Sequence, residues 1–350
     1  YGFGGIGGSH NFSTYAADYA PGWRGNVSYT NSNYMLRAMM QYATGVNKHG
    51  WALTASVIGR YAPEGVTEGT FYNSVGYFLS LQKIFNDEHS INITTWGAPT
   101  QRATASATYE EAYQLAGNNL YNPNWGWHDG KKKSARIVNS FDPSAIINWI
   151  WKPQMGTTVN TAVGFRHNKY ASSALNWYQA ADPRPDYYRY LPSYYEPTAE
   201  EGTELYNQQK AVYDYYTELW QNNESMRQID WAAIYQTNLL NNIQNQSNPE
   251  LRGHATYIIE NRHSDFTSWM LNSYINHRIN DIMTLDGGVS FNYTDSHYYK
   301  TIKDLLGAEY WRDIDNFSER DFPDNPTMLQ NDLNNPNRKV TEGDVFGYDY

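Results

Sequence analysis

Two clusters of aromatic side chains, interleaved with amides and charges, carry the recognition chemistry this sequence holds. The first is Tyr121-Asn122-Pro123-Asn124-Trp125-Gly126-Trp127. The second runs Asp182-Pro183-Arg184-Pro185-Asp186-Tyr187-Tyr188-Arg189-Tyr190 and resumes at Tyr194-Tyr195. Flat rings stack on sugars and other planar solutes, and neighbouring Asn, Asp and Arg groups fix their orientation. Ligand contacts are therefore expected from Asn124, Trp125, Trp127, Asp182, Arg184, Tyr187, Tyr188 and Tyr190. The competing reading is architectural: rings and prolines stiffen long loops so that they pack on one another.

Signals for covalent chemistry are thin. There is no H-E-x-x-H, phosphate-binding loop, G-x-S-x-G or calcium-loop pattern, and the chain has no cysteine. The adjacent carboxylates Glu110-Glu111 and Glu200-Glu201 do not face one another if they lie on helices. A carboxylate pair drawn from different strands would escape a sequence reading, which keeps a glycosidase as an alternative. His128-Asp129 and Asp295-x-His297 each offer two metal ligands, but loop histidines of this kind are usually just solvated. Gly2-Phe3-Gly4-Gly5-Ile6-Gly7 formally fits G-x-G-x-x-G. A dinucleotide site needs a strand before it and a helix after it, and neither is indicated. The expectation is no enzyme, no cofactor and no metal.

The elements that position these clusters announce themselves by period. Leu36, Ala38, Met40 and Tyr42 alternate with Arg37 and Gln41; Trp51, Leu53, Ala55, Val57 and Tyr61 with Thr54, Ser56 and Arg60. Val75, Tyr77, Leu79 and Leu81 alternate with Ser74, Gly76, Ser80 and Gln82. Val159, Val163 and Phe165 oppose Asn160 and Arg166, and Val289, Phe291 and Tyr293 oppose Ser290, Asn292 and Thr294. Side chains on a strand point alternately to opposite faces, so each segment has one apolar and one polar side. Several segments approach ten residues, the length a tilted strand needs to cross a bilayer. Tyr34, Tyr42, Trp51, Tyr61, Trp149 and Trp151 mark strand ends, where amphipathic rings prefer the membrane interface.

Connections come in two lengths. Short polar turns fall at Gly45–Gly50, Phe85–His89, Lys152–Gly156 and Ile279–Ile282. Long ones run from Ala62 to Thr70, Gly97 to Phe141, His167 to Gly253 and Ser296 to Val340. Loops that long are uncommon in a compact sandwich. Ala199–Gln221 and Ile229–Ile243 have helical spacing, and Thr301–Trp311 is expected to form a third helix. Ala255–Asn276 reads as one long strand, broken near His263–Phe266. The fold class implied is all-β, an antiparallel up-and-down transmembrane β-barrel supplying about nine or ten strands, with long extracellular loops that contain short helices.

Composition agrees. Aromatics make up 16% of the 350 residues, yet mean hydropathy is −0.73, an unusual pairing for a soluble globule. It is natural for a barrel with aromatic girdles, a polar interior and polar loops. A net charge of −10 argues against nucleic acid as a partner. Tyr1 is not a start Met and Tyr350 falls inside what reads as a strand, so the chain is expected to be a piece of a longer protein.

The order of several segments resembles the outer-membrane TonB-dependent receptors of the Bacteroidetes. They are the glycine-rich Tyr1–Ser9, Asn47–Thr54 (NKHGWALT), Glu68–Tyr72 (EGTFY), Trp96–Thr100 (WGAPT) and Tyr121–Arg136 (YNPNWGWHDGKKKSAR). Ala174–Glu196, Ser273–Gly288 and Lys300–Asp315 continue it. The resemblance implies the end of a plug domain at residues 1–21 and the first part of the barrel at 22–350. It implies outer-membrane lipid around the barrel and a periplasmic TonB partner reached through a plug segment not in this chain. An extracellular lipoprotein lid is a further partner of such receptors. The expected activity is import of a nutrient, a glycan, peptide or metal chelate, captured by the loops. The alternatives are a passive porin and a soluble or surface-anchored glycan-binding β protein.

Overall fold

The computed structural model describes residues 12–245, 247, 252–322 and 324–350. The glycine-rich Tyr1–Ser9 stretch lies outside them. In chain order the elements are β1 (Gly22–Tyr29), β2 (Leu36–Ala43), β3 (Trp51–Ala62), β4 (Tyr72–Ile84), β5 (His89–Gly97) and β6 (Thr100–Ala103). Then follow α1 (Glu110–Ala116), β7 (Trp125–His128), β8 (Lys131–Ser134), β9 (Ile137–Phe141), β10 (Ser144–Trp151) and β11 (Thr157–Trp177). Helices α2 (Glu204–Asn222) and α3 (Trp231–Gln244) precede the long strands β12 (Tyr257–Arg278) and β13 (Thr284–Asp304). The chain continues through β14 (Trp311–Arg312), α4 (Asn316–Asp321), β15 (Lys339–Val340) and β16 (Val345–Asp349).

One 12-stranded antiparallel sheet dominates, in the order β1-β2-β3-β4-β5-β10-β11-β12-β13-β16, with β6 and β9 filling a gap beside β4 and β11. The path is up-and-down, as the alternation implied. No helix among the described residues is long and apolar enough to cross a membrane, which says nothing of a crossing by strands.

Register turns the alternation into two opposite surfaces. Leu53, Leu81, Ile93, Ile147, Val163, Leu271 and Phe291 stand side by side across β3, β4, β5, β10, β11, β12 and β13. At about 4.8 Å per strand this row is roughly 29 Å wide. Most of it is bare: Ile147 is 51% exposed and Phe291 62%. Leu36, Leu79 and Val163 are also exposed on this face, at 42–44%. An uncovered apolar surface of this extent is rare on a soluble monomer. The next residue along each strand points the other way. On the opposite face the matching row reads Ala52, Gln82, Asn92, Asn148, Ala162, Asn272 and Ser290, polar on every strand but β3 and β11.

Aromatic rings close one end of the apolar face. Trp149 and Trp151 stack at 5.9 Å, and His89 stacks on both. Lys83 Nζ lies 5.1 Å over the Trp51 ring.

Phe12–Asp18 lies along the polar face. Ala16 N and Ala17 N donate to Asn92 Oδ1 and Gln82 Oε1 at 3.2 and 2.9 Å. Ser80 Oγ donates to Thr14 O at 2.6 Å, and Tyr15 Oη donates to Asn148 Oδ1 at 3.1 Å. The polar face supplies the side-chain partners needed by a segment outside the sheet whose only regular structure is a single 3-10 turn at Ala16–Asp18.

Beyond the apolar belt the molecule is built differently. Strands β11, β12 and β13 run on past the belt, and the helices and loops pack around them. Tyr178, Ile258, Ile302, Leu305, Trp311 and Val340 belong to one buried cluster. Ile229, Trp231, Ile234, Tyr257, Ile259 and Leu306 belong to a second. This crown has an ordinary apolar core.

Several expectations need correction. His167–Trp177 and Ser296–Asp304 are strand, not loop. Thr301–Trp311 is not a helix: Thr301–Asp304 ends β13, and Leu306 (φ 51°) and Gly307 (φ 87°) adopt left-handed backbone that stops a right-handed helix from forming. β12 is unbroken at His263–Phe266. What changes there is its ladder to β11, where the Asp265 carboxylate accepts Tyr170 N at 3.0 Å. The register shift sits between Ile259 and Glu260. Helix α2 begins at Glu204, where the Thr203 side chain accepts from Tyr206 N, so Ala199–Thr203 precedes it.

Candidate ligand-binding site

The crown holds a groove of about 490 Å³ lined by Trp127, Asp182, Arg184, Tyr190, Asp230 and Tyr257 among others. Its size and its mix of rings with a few polar groups suit a small solute. One wall is the start of α3, which Asp230 caps by accepting Ala233 N at 2.9 Å. The opposite wall is the Asp182–Tyr190 loop. Its carboxylate is 7% exposed and pairs with the half-exposed Arg184 at 2.5 Å. Arg184 Nε also donates to Asp182 Oδ1 at 2.9 Å, and the guanidinium lies 5.3 Å over the Trp177 ring. The hydrogen bond to Asp182 holds the Arg184 guanidinium more firmly protonated than usual. Tyr190 Oη donates to Asp182 O and Tyr257 Oη to Ala181 O, both at 2.8 Å. Burial, with Asp182 nearby, raises the pKa of Tyr190, which stays a neutral donor.

Trp127 is the exposed ring at the groove, at 51%; it meets Trp125 edge-on at 6.0 Å, and Lys132 Nζ lies 5.6 Å over it. It projects from the hairpin β7–β8, whose position is fixed by a close approach. Trp125 O accepts Ile229 N at 2.9 Å, and a Cβ on Gly126 would sit 2.0 Å from Ile229 O. Only glycine fits between these backbones.

Of the eight expected contacts the structure brings four together at the groove: Trp127, Asp182, Arg184 and Tyr190. Trp125 is 3% exposed and packs over Gly69, where a Cβ would meet its ring at 2.1 Å. Asn124 turns to Ser106 and Asn122, donating at 2.9 and 3.0 Å. Tyr187 packs edge-on against Tyr188 and Tyr190, at 4.8 and 5.3 Å, and Tyr188 continues to Tyr194 at 5.7 Å. Those rings support the loop, the architectural role weighed beside recognition. Asp230, Met226, Thr237 and Tyr257 also line the groove. Only the cap role of Asp230, just ahead of a helical period, was open to a sequence reading.

Among the described residues no group of three or more His, Asp or Glu side chains could hold a metal. His128 stacks on Tyr235 at 4.6 Å and His297 pairs with Asp349 at 2.5 Å, so neither of the two-ligand motifs converges on a third ligand.

No family model matches the chain, and no curated protein matches it. Among solved structures it aligns with the closed form of the ferric-catecholate import receptor Fiu from E. coli K12, at 8% identity and TM-score 0.44. That alignment covers 83% of this chain and 34% of the receptor. The Pseudomonas aeruginosa receptor FpvA bound to heterologous pyoverdines aligns at 9% identity and TM-score 0.46, over 85% of this chain and 30% of FpvA. A Pseudomonas aeruginosa FadL homologue aligns at 14% identity and TM-score 0.27, over 78% of this chain and 52% of that one. The chain thus spans about a third of the length of the import receptors it aligns with. Similarity of this degree assigns no family and transfers no role.

Proposed function

We propose that this chain is part of an outer-membrane receptor that imports a nutrient, with the crown facing outward and capturing the solute. The single observation that carries this reading is the uncovered apolar row from Leu53 to Phe291 backed by the polar row from Gln82 to Ser290. A lipid surround suits the first surface and a polar interior suits the second. Stacked tryptophans and Lys83 at one end fit an interfacial girdle.

In this reading Phe12–Asp18 is the lead-in from a plug to the wall, and the polar face is the lumen. Trp127, Arg184 and Tyr190 contact the solute in the crown groove, and no covalent chemistry takes place. Energy reaches the plug through TonB, an extracellular lipoprotein covers the crown, and the origin is Bacteroidetes. A glycan, peptide or metal chelate suits the groove's mixture of rings and hydrogen-bonding groups.

The test has two parts. Cell fractionation should find the intact protein in the outer membrane, released only by detergent. Uptake of its solute should stop when the inner membrane is de-energised. Release by salt or carbonate alone would favour a soluble glycan-binding protein. Uptake that persists without energy would favour a passive porin.

A further inference from the structure

The polar face carries arginines that no carboxylate among the described residues pairs with. Arg37 on β2 and Arg60 on β3 are direct register partners, so two guanidinium stems start side by side on the same face. Cβ atoms of such partners lie about 5 Å apart, and like charges there repel. Arg102 on β6 shares that face: it pairs with Tyr72, while Arg60 pairs with Ser74 two residues along β4. Arg24 on β1 shares this face but sits opposite Gln41, about 13 Å along β2 from Arg37.

Nothing among the described residues neutralises them. None of these four arginines is in an ion pair with a carboxylate, whereas the nearby acids Glu64 and Glu68 are both taken by Lys132, at 2.5 and 2.7 Å. Arg37 donates to uncharged acceptors, from Nη1 to Asn26 Oδ1 at 2.9 Å and from Nη2 to Met39 Sδ at 3.7 Å. Arg60 lies 5.5 Å over the Tyr34 ring, and its Nε is buried without a hydrogen-bond acceptor. A buried donor on a charged group is costly to leave unmet. Arg102 lines a recess of about 310 Å³ together with Asn33, Thr67, Thr70 and Tyr72. A chain of net charge −10 thus gathers, on one patch of its polar face, arginines that pair with no carboxylate among the described residues.

The geometry points to an anion-binding lane across β2, β3, β4 and β6, which takes a solute bearing two or more carboxylate or phosphate groups. Planar guanidinium forks suit those groups better than any neutral ligand. The lane rests on the reading of the polar face as a transport lumen, since it names the class of solute passing the crown. It lies apart from the Trp127–Arg184 groove and shares no lining residue with it.

Citrate is the probe, with maltose as the uncharged control, each titrated calorimetrically into the intact detergent-purified protein at low salt. Citrate should bind and maltose should not compete with it. In the R37Q/R60Q protein citrate affinity should fall about tenfold or more, while R60K, which keeps the charge but loses the planar fork, should fall in between. Affinity should also drop steeply with added salt. Heat-modified gel mobility reports whether each variant keeps its barrel. Absence of citrate binding by the unsubstituted protein overturns the proposal, as does equal binding by the folded R37Q/R60Q protein. A double variant that loses thermal stability with no citrate binding in the parent would show these arginines paired with carboxylates of the same protein, and equally overturns it. Fractionation decides membrane placement separately, so failure of the lane and failure of the receptor reading remain distinct.

Discussion

The wall and the crown are made from one chain and obey opposite packing rules. In the wall, Ile147 and Phe291 are bare while Thr94 and Ser80 are fully buried. In the crown, Trp231 and Ile258 are fully buried, although some apolar side chains such as Leu239 and Ile243 stay exposed. The same hydrophobic effect gives both results if the solvents differ. In the proposed placement apolar side chains leave water in each case, toward lipid from the wall and toward each other in the crown. The crown also shows how buried polar groups are kept satisfied. Asn238, fully buried, donates to the carbonyls of Tyr257, Leu305 and Leu306 at 2.9–3.1 Å. Its oxygen accepts Thr256 N and Tyr257 N.

The contrast is most sharply tested by emptying the crown core. Trp231→Ala should cost about 3–5 kcal/mol of crown stability. Hydrogen exchange should then rise across α3 and β14 while the wall strands stay protected. Equal loss of protection in the wall would mean the two regions are one cooperative unit.

The wall calls for an inserted charge instead. Phe291→Arg should cost roughly 2–4 kcal/mol of stability in a bilayer, whereas its neighbour Ser290→Arg, on the polar face, should cost far less. Denaturant titration in lipid vesicles measures both. Similar losses would contradict the two-faced wall.

Acid should act on the crown through His254. Burial, with Arg312 and Lys339 nearby, pushes its imidazole down to about 4. The unfolded chain binds a proton near pH 6.5 and the folded one does not until about pH 4. Stability should therefore fall as pH drops through that window, by at most about 3 kcal/mol, and level off below it. Crown proteolysis rates at pH 7 and pH 4.5 read the effect. His254→Leu should flatten the slope; an unchanged slope would assign acid sensitivity elsewhere.

The smallest expected change is local. Thr203→Ala removes the side-chain acceptor for Tyr206 N and should weaken α2 by about 1 kcal/mol. Exchange at the first turn of α2 would show it, with no change at the wall.

Legibility in the sequence followed the same division. Where one strand face meets an apolar medium, alternation is strong, and the faces of Leu36–Tyr42, Val75–Gln82 and Val289–Thr294 were readable residue by residue. Past the belt both faces are polar or packed on loops. His167-Asn168-Lys169-Tyr170 and Ser296-His297-Tyr298-Tyr299 then lose the period that marks a strand, although the strands continue. Ile302, Leu305 and Leu306 have helical spacing for another reason. They approach one cluster of buried residues or its neighbour from a strand end and a turn, which mimics a helix face. At the groove the rings of Trp127 and Tyr190 drew notice by type. Thr237 and Tyr257 arrive there through the packing of α3 on β12, and Met226 from the 3-10 turn Glu224–Arg227 ahead of α3, which no local pattern encodes.

The strap on the polar face has a mechanical consequence. Phe12–Asp18 is fastened by separate side-chain contacts that follow one another along the chain: Thr14 to Ser80, Tyr15 to Asn148, Ala16 to Asn92 and Ala17 to Gln82. A tug on the chain ahead of Phe12 would load these fasteners in sequence, as in peeling tape. Peeling breaks one weak bond at a time, so a small force detaches the strap while the wall, whose ladders share any load across many bonds, stays whole.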